Sequence, residues 1–184
     1  MSTIALPGQL RASFLRWALV IVPVVLFLGL GSGILGNADS QWFRGLTKPA
    51  LFPPPVTFGI VWTILYALMG FAAALIAAAR GAPGRGAALA MFTVQFFISL
   101  AWTPVFFGMH QISRALYLLL VIDVAVLATV LLFWRVRPRA GMLLLPYLAW
   151  VLFASVLNWQ FLQVNRAADG MPTSNAVTRI ELGP

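Results

Sequence analysis

The stretch that decides the fold is residues 56–79, which reads VTFGIVWTILYALMGFAAALIAAA and carries no charged side chain. A helix needs about 20 predominantly apolar residues to cross the hydrocarbon core of a bilayer, so this stretch predicts a membrane-spanning helix. Four other stretches satisfy the same criterion, at about residues 17–36, 87–107, 115–134 and 141–164. The sequence therefore predicts an all-α integral membrane protein, with five spanning helices in one domain over residues 1–165.

The composition of the chain agrees with a lipid environment. Hydrophobic residues make up 61% and charged residues 9%, against about 45–50% and about 25% in soluble domains. There is no cysteine and a single histidine, His110, which excludes disulfides and thiolate metal sites and argues against zinc or haem ligation. The sequence also lacks a glycine-rich phosphate loop, clustered carboxylates and a hydrolytic triad pattern. It therefore predicts no metal site and no conventional catalytic residue.

The formal net charge of +8 comes from basic residues at the ends of the apolar stretches. This placement is typical of membrane proteins, and no run of basic and aromatic residues indicates a nucleic-acid partner. The first stretch follows Arg11 and Arg16 as a signal peptide would, but its length favours a retained helix. Seven basic residues fall on the side of the N-terminus and five on the other side. This margin of two predicts a cytoplasmic N-terminus, while the choice between inner and outer membrane stays open.

One connection and one terminus differ from the short loops elsewhere. The first loop, residues 37–55, contains Lys48-Pro49 and the run Pro53-Pro54-Pro55, which regular helix cannot accommodate. We expect an extended, stiff, structured segment that covers one end of the bundle like a lid. The tail, residues 166–184, is polar and has little apolar content, so we expect it to be flexible.

Small residues on two of the spans predict close helix contacts. They are Gly29 and Gly33 in the first span, and Gly70, Ala74 and Ala78 in the second. The pattern favours contacts within one chain over contacts between two protomers without deciding between them. Pro23 and Pro104 predict kinks within their spans, because neighbouring groups can satisfy the freed carbonyls.

Three of the spans carry aromatic and polar side chains on one face. At 100° per residue, the members of each face fall within an arc of about 80°. They are Trp62, Tyr66, Met69 and Ala73 in the second span, Gln95, Ser99, Trp102 and Phe106 in the third, and Tyr147, Trp150, Ala154, Asn158, Phe161 and Asn165 in the fifth. Such faces fit two interpretations: filling of the bundle interior, or the lining of a pocket for a flat, largely apolar ligand with polar edges.

Two ionisable residues lie in or beside a span. Asp123 is near the middle of the fourth span, where an ionised carboxylate costs about 2.5–3.5 kcal/mol. With no intramembrane base to pair with, it makes a poor proton relay, and we expect a hydrogen-bonded or protonated structural residue. His110 ends the third span beside a short loop, and we expect it at the membrane interface without a catalytic role.

Four segments of the chain resemble the TspO/MBR family, the tryptophan-rich sensory proteins related to the mitochondrial translocator protein. They read WFRGLTKPALFPP (residues 42–54), FGIVWTILYALMG (58–70), WTPVFFG (102–108) and PYLAWVLFASVLN (146–158). The resemblance implies a five-helix bundle, commonly a homodimer. It also implies a pocket under the first loop that takes porphyrins such as protoporphyrin IX and, in some members, sterols or benzodiazepine-type drugs.

The polar and aromatic faces and the resemblance together select the candidate ligand-binding residues. These are Trp42, Phe43, Pro49, Trp62, Tyr66, Gln95, Ser99, Trp102, Phe106, Tyr147, Trp150, Ala154 and Asn158. Two of them depart from the family pattern, since many relatives have Asn at the position of Ser99 and Tyr at that of Phe43, so the ligand preference can differ. The segment before Arg166 also lacks the tyrosine of the proposed sterol motif, which weakens the case for cholesterol.

These expectations favour a membrane sensor or regulator that binds a tetrapyrrole as its ligand and requires no resident cofactor. A transporter of porphyrins or sterols is an alternative, although no inverted repeat is evident. Another is light- and oxygen-dependent porphyrin degradation, with Trp42 and Trp150 in a photochemical role and no general acid or base to assist. The expected partners are the porphyrin, membrane lipid and a second copy of the chain; a purely structural membrane protein also stays open.

Overall fold

The computed structural model describes residues 7–35 and 40–171 of the chain. Over these residues there are six α-helices and no strand: α1 (Pro7–Leu35), α2 (Gln41–Gly45), α3 (Pro55–Ala77), α4 (Arg85–Leu100), α5 (Ile112–Val136) and α6 (Pro138–Val164). A π-helical segment, Pro104–Gly108, follows α4, and a 3₁₀ helix, Arg166–Ala168, follows α6.

Five of these helices are long and apolar enough to cross a membrane. They are α1, α3, α4 with its π-helical segment, α5 and α6, which confirms the predicted all-α, five-helix membrane bundle. Helix α1 begins at Pro7, about ten residues before the apolar stretch, because the polar N-terminal residues continue the same helix. Along α1, Leu19, Phe27 and Ile34 are 75%, 78% and 83% exposed in the isolated chain, as expected of side chains that face lipid.

The first loop is part helix and part extended chain. Ser40 is the N-cap of α2. Its hydroxyl accepts a hydrogen bond from the Phe43 amide at 3.2 Å, which is the usual role of a serine before a helix. Leu46 then turns the backbone into an extended conformation, and the proline run leads to Pro55 at the first turn of α3. The expectation of an extended loop is therefore wrong for Gln41–Gly45, where no proline interrupts the helix; residues 36–39 lie outside the described part.

Helices α1 and α3 pack closely through two glycines. A Cβ atom on Gly29 would lie 2.5 Å from the Tyr66 ring, and one on Gly70 would lie 2.8 Å from the Val22 Cα. Ala74 is also fully buried, so these predicted contacts form within one chain. Gly33 differs, since no described residue lies within 4 Å of a Cβ built there. The contact within one chain that the pattern favours is therefore not made by the described part of the chain.

The third span changes its geometry where Pro104 was predicted to kink it. Helix α4 ends at Leu100, and Pro104 opens the π-helical segment, in which the Met109 amide donates to the Pro104 carbonyl at 2.9 Å. A proline lacks the amide hydrogen that would continue the regular ladder, and the rare π-helical hydrogen bonding occurs mostly as single turns of this kind within helices. The segment brings Phe106 and Phe107 toward the first loop.

The beginning of the C-terminal tail is packed against the bundle. The Gly170 amide donates to the His110 carbonyl at 2.8 Å, and the Asp169 carboxylate accepts from the Ser113 amide at 3.1 Å. That second bond caps the start of α5, where backbone amides have no helical partner. The first six residues of the tail, Arg166–Met171, thus make defined contacts with the bundle, residues 172–184 lie outside the described part, and the flexibility of the tail stays a prediction.

Candidate functional site

Aromatic side chains of the first loop, the π-helical segment and α6 meet at one end of the bundle. We call Trp42, Phe43, Phe52, Phe106, Phe107 and Phe161 the loop-end cluster. Phe43 lies at its centre, with ring centroids 5.0 Å from Phe107, 5.9 Å from Phe161 and 6.1 Å from Phe52. The contacts with Phe107 and Phe52 are edge-to-face and that with Phe161 is tilted, and ring pairs at these separations are favourable. The cluster seals this end of the bundle with apolar surface.

A short chain of hydrogen bonds lies behind the loop-end cluster. The Trp102 indole N–H donates to Asn158 Oδ1 at 3.1 Å, and Asn158 Nδ2 donates to the Ile112 carbonyl at 2.9 Å. The Trp102 ring also stacks on Phe106, with centroids 5.1 Å apart. Because Asn158 is 2% exposed, its amide satisfies buried groups of the third span and of α5 at once.

Deeper in the bundle, a second group of candidate residues make contacts with one another. Trp62 stacks on Tyr66 with centroids 5.2 Å apart and meets Tyr147 edge-on at 6.3 Å. The Tyr147 hydroxyl donates to Gln95 Oε1 at 3.5 Å, the upper limit of a hydrogen bond. Ser99, one of the two departures from the family pattern, donates to the Phe96 carbonyl of its own helix at 2.7 Å.

Trp150 and Ala154 lie half-buried between these two groups. The Trp150 ring is 5.3 Å from Phe153 and 6.0 Å from Phe58 at the start of α3, and Phe58 is 5.4 Å from Phe52 of the loop. The loop-end cluster therefore continues through Phe58 to Trp150 and Phe153, while Trp62, Tyr66 and Tyr147 form a second aromatic group. Trp102 packs against the hydrophobic clusters of both groups. Trp42 and Trp150 lie in different places: Trp42 contacts the tail at Ala168, and Trp150 contacts Phe58 of α3.

The first loop is held against α6 by Asn165, which is not among the candidate ligand-binding residues. Asn165, at the end of α6, accepts from the Thr47 amide at 2.8 Å and donates to the Thr47 carbonyl at 2.9 Å. Its Nδ2 also donates to the Phe161 carbonyl at 3.0 Å. The helical face of α6 contained Asn165, but its loop partner is 118 residues away in sequence, so no local pattern could reveal the pair.

Trp42 links the loop to the tail and to the turn before α5. Its indole N–H donates to the Ala168 carbonyl at 3.2 Å, and its ring stacks on His110. His110 is 3% exposed, has φ of 56°, and its Nδ1 lies 3.0 Å from the Met171 carbonyl oxygen. His110 follows the end of the third span, and its position at the membrane interface stays a prediction. The sequence did not indicate that the tail folds back over it.

Lys48 and Pro49 shape the loop beneath Phe43. The Lys48 ammonium donates to the Phe43 carbonyl and, at 3.0 Å, to the Leu46 carbonyl, and it lies 4.2 Å from the centroid of the Phe43 ring. Partial burial lowers the pKa of Lys48 below its ordinary value, because desolvation disfavours the charged form. Pro49 is buried, and its carbonyl accepts from the Phe52 amide at 3.0 Å, which closes the turn that brings Phe52 into the cluster.

Asp123 lies away from these aromatic groups, between α5 and α6. The Ser155 hydroxyl donates to Asp123 Oδ2 at 2.7 Å, which confirms the predicted hydrogen-bonded role. The other carboxylate oxygen is buried without a partner among the described residues. Asp123 therefore joins two spans through a polar contact inside the membrane.

Comparison with known proteins agrees with this arrangement. The TspO/MBR family model matches residues 19–164. The chain is 38% identical over 134 residues to the tryptophan-rich sensory protein of Cereibacter sphaeroides, covering 73% of this chain and 82% of that protein. It is 37% identical over 132 residues to the human translocator protein, covering 71% of this chain and 78% of that protein. It is 34% identical over 129 residues to protein CrtK of Rhodobacter capsulatus, covering 70% and 81%.

The match includes the first loop, the last four spans and most of the first span, and therefore every candidate ligand-binding residue predicted from the sequence. On the strength of this match and of the five-helix bundle, the chain belongs to the TspO/MBR family of multi-pass integral membrane proteins.

Proposed function

We propose that this protein binds a tetrapyrrole of the protoporphyrin IX type inside the bundle and beneath the first loop, and that it acts as a sensor or regulator. The observation that carries the proposal is the continuous aromatic assembly formed by the loop, α3, the π-helical segment and α6. Indole and phenyl faces suit a planar, largely apolar ring system.

Polar groups near the assembly suit the edges of such a ligand. Asn158 and Trp102 lie behind the loop-end cluster, where they bond to each other and to the Ile112 carbonyl, so a ligand would bond to them only by replacing those contacts. Arg44, Lys48 and Arg166 are exposed around the loop and the start of the tail, and cations at this position favour the carboxylates that protoporphyrin carries at one edge. The ligand would therefore enter with its apolar edge toward Trp150 and its carboxylates toward the loop.

The first loop provides a way to report that the site is occupied. Phe43 and Phe52 fill space between the loop and α6, so a macrocycle beneath the loop must displace them. The same loop is held by Asn165 and, through Trp42, by the tail. A ligand that binds the protein with its loop displaced better than the protein with its loop closed shifts the population toward the displaced state. The contacts between the loop and the tail then change as well.

A titration in the dark with protoporphyrin IX tests the proposal. The measured signals are the porphyrin absorbance and tryptophan fluorescence of the detergent-purified protein, for wild type, Trp150→Leu and Trp159→Leu. Trp159 is the matched control, because it lies on the same helix but is 51% exposed on the lipid side. We expect saturable binding in wild type and Trp159→Leu and weaker binding in Trp150→Leu; linear, identical signals in all three would mean that the pigment partitions into micelles.

The alternatives differ from a sensor in what the bound pigment does. Transport predicts porphyrin flux across sealed vesicles that carry the protein, and photochemistry predicts pigment loss that requires light, oxygen and Trp42 or Trp150. A sensor predicts neither flux nor pigment loss, while binding persists. Sterol or benzodiazepine-type ligands are tested as competitors in the same titration.

We further propose that the protein forms a homodimer and that its N-terminus faces the cytoplasm. Light scattering of the detergent-solubilised protein gives the oligomeric state. Because the chain has no cysteine, one cysteine introduced at Pro83, in the turn between α3 and α4, reports the orientation through its reaction with a membrane-impermeant reagent.

A further inference from the structure

The end of the bundle opposite the first loop is rich in arginine. The described residues there include Arg11, Arg16, Arg80, Arg85, Arg135, Arg137 and Arg139, and none of the described residues at this end is Asp or Glu. Without carboxylates from this part of the chain, these cations depend on water or on anions of the membrane surface. The tetrapyrrole proposal concerns the other end and leaves this surface unexplained.

A cleft of about 210 Å³ lies at this end, between the start of α1 and the turn after α3. Ser13, Arg16, Trp17 and Val20 line it from α1, and Arg80 lines it from the turn. The four α1 residues are spaced by three and four positions and therefore share one helix face. The lining of the cleft is polar at Ser13 and Arg16 and becomes apolar at Val20, which lies one turn further along α1.

Among the described residues, neither arginine of the cleft donates from its terminal guanidinium nitrogens to a protein group. Arg16 uses its Nε to bond the Ala12 carbonyl at 3.2 Å, which fixes the side chain and leaves its terminal nitrogens. Arg85 shows the opposite case, since its Nε and Nη2 both donate to the Ala77 carbonyl and complete the end of α3. Arg85 is therefore part of the fold, whereas Arg16 and Arg80 face the cleft.

We propose that Arg16, Arg80 and Trp17 form a binding site for the phosphate of an anionic phospholipid. Guanidinium groups pair with phosphate oxygens through directed hydrogen bonds. Tryptophan at a span end lies at the level of the lipid headgroups, and Val20 lies where an acyl chain would begin. Basic pockets between spanning helices are a known way of holding such headgroups. The cleft thus offers both the charge and the apolar wall that one lipid molecule needs.

Native mass spectrometry of the detergent-purified full chain tests the site. Phosphatidylglycerol and phosphatidylcholine are titrated separately into wild type, Arg16→Gln, Arg80→Gln and Arg135→Gln. Arg135 is the matched control, because it is exposed at the same end but does not line the cleft. Arg80 lies in an exposed turn, so its replacement keeps the test valid even if Arg16→Gln folds poorly.

We expect one phosphatidylglycerol to bind wild type and Arg135→Gln in preference to phosphatidylcholine. Each cleft variant should weaken that binding by about fivefold. Equal loss in Arg135→Gln would show a diffuse charge effect, and equal binding of the two lipids would show no phosphate selectivity; either result overturns the proposal. Displacement of the lipid by millimolar inorganic phosphate would assign the site to the free ion instead. None of these results depends on whether a tetrapyrrole binds.

Discussion

The indole ring of Trp42 stacks on the imidazole of His110, with ring centroids 4.3 Å apart and 13° between the ring planes. Trp42 belongs to the first loop and His110 to the turn between the third span and α5. The tail covers the pair, because Ala168 accepts from the indole and Met171 lies against the imidazole. The loop, this turn and the tail therefore close one end of the bundle together, and moving the loop must disturb all three.

The backbone of His110 gives the first prediction. Its φ of 56° lies in the left-handed region, which costs a residue with a Cβ roughly 1–2 kcal/mol. Both His110→Gly and His110→Ala remove the stacking on Trp42, but glycine tolerates this backbone. We therefore expect wild type to be most stable and the glycine variant to be at least as stable as the alanine variant, by thermal unfolding in detergent. A clearly more stable alanine variant would contradict the left-handed geometry.

Asn165 holds the loop through a pair of hydrogen bonds to Thr47. Asn165→Ala should remove both, at a net cost of roughly 1–3 kcal/mol, and release the loop without unfolding the bundle. The measurement is hydrogen exchange of the Thr47 amide, which we expect to accelerate about tenfold or more. The control is Gln163→Ala, because Gln163 accepts only from exposed Arg166 among the described residues; equal exchange in both variants would argue against the clamp.

Asn158 satisfies two buried groups, the Trp102 indole N–H and the Ile112 carbonyl. Asn158→Ala leaves both without a partner in a bundle interior that has little access to water. We expect a loss of roughly 2–5 kcal/mol in the free energy of unfolding. Its neighbour Trp159 is exposed to lipid, so Trp159→Leu should change the stability much less. Similar stabilities of the two variants would refute the role of the Asn158 amide.

Gly29 and Gly33 form a matched pair on α1. A Cβ at Gly29 meets the Tyr66 ring at 2.5 Å, whereas one at Gly33 meets no described residue within 4 Å. Gly29→Ala should therefore destabilise the protein by roughly 1–3 kcal/mol, while Gly33→Ala should be neutral or stabilise it by up to about 1 kcal/mol. Thermal unfolding of the two variants distinguishes them. If Gly33→Ala instead disrupted a dimer, light scattering would report it, and α1 would then contact a partner protomer.

Much of the fold was predictable because the bilayer simplifies it. Spans are limited by length and apolarity, so the five helices follow from stretches such as residues 56–79, and the faces of Trp62, Trp102 and Tyr147 follow from helical periodicity. Helix α2 was missed, although serine before a helix is a common cap and Ser40 stands directly before Gln41–Gly45.

The remaining features depend on contacts between distant loops. Trp42 and Ala168 are 126 residues apart, and Thr47 and Asn165 are 118 apart. Nothing near His110 in sequence indicates that the tail covers it. Gly33 shows the converse problem, because a small residue in a span predicts close packing but does not say which face of the helix has a neighbour.

The most direct test of the account is the structure of the protein saturated with protoporphyrin IX in the dark. We predict the macrocycle beneath the first loop, in contact with Trp150 and Ala154, with Phe43 and Phe52 displaced and the Thr47–Asn165 hydrogen bonds altered. A macrocycle on the lipid-facing surface, or a saturated sample in which the loop-end cluster is unchanged and its interior holds no pigment, would contradict the central claim.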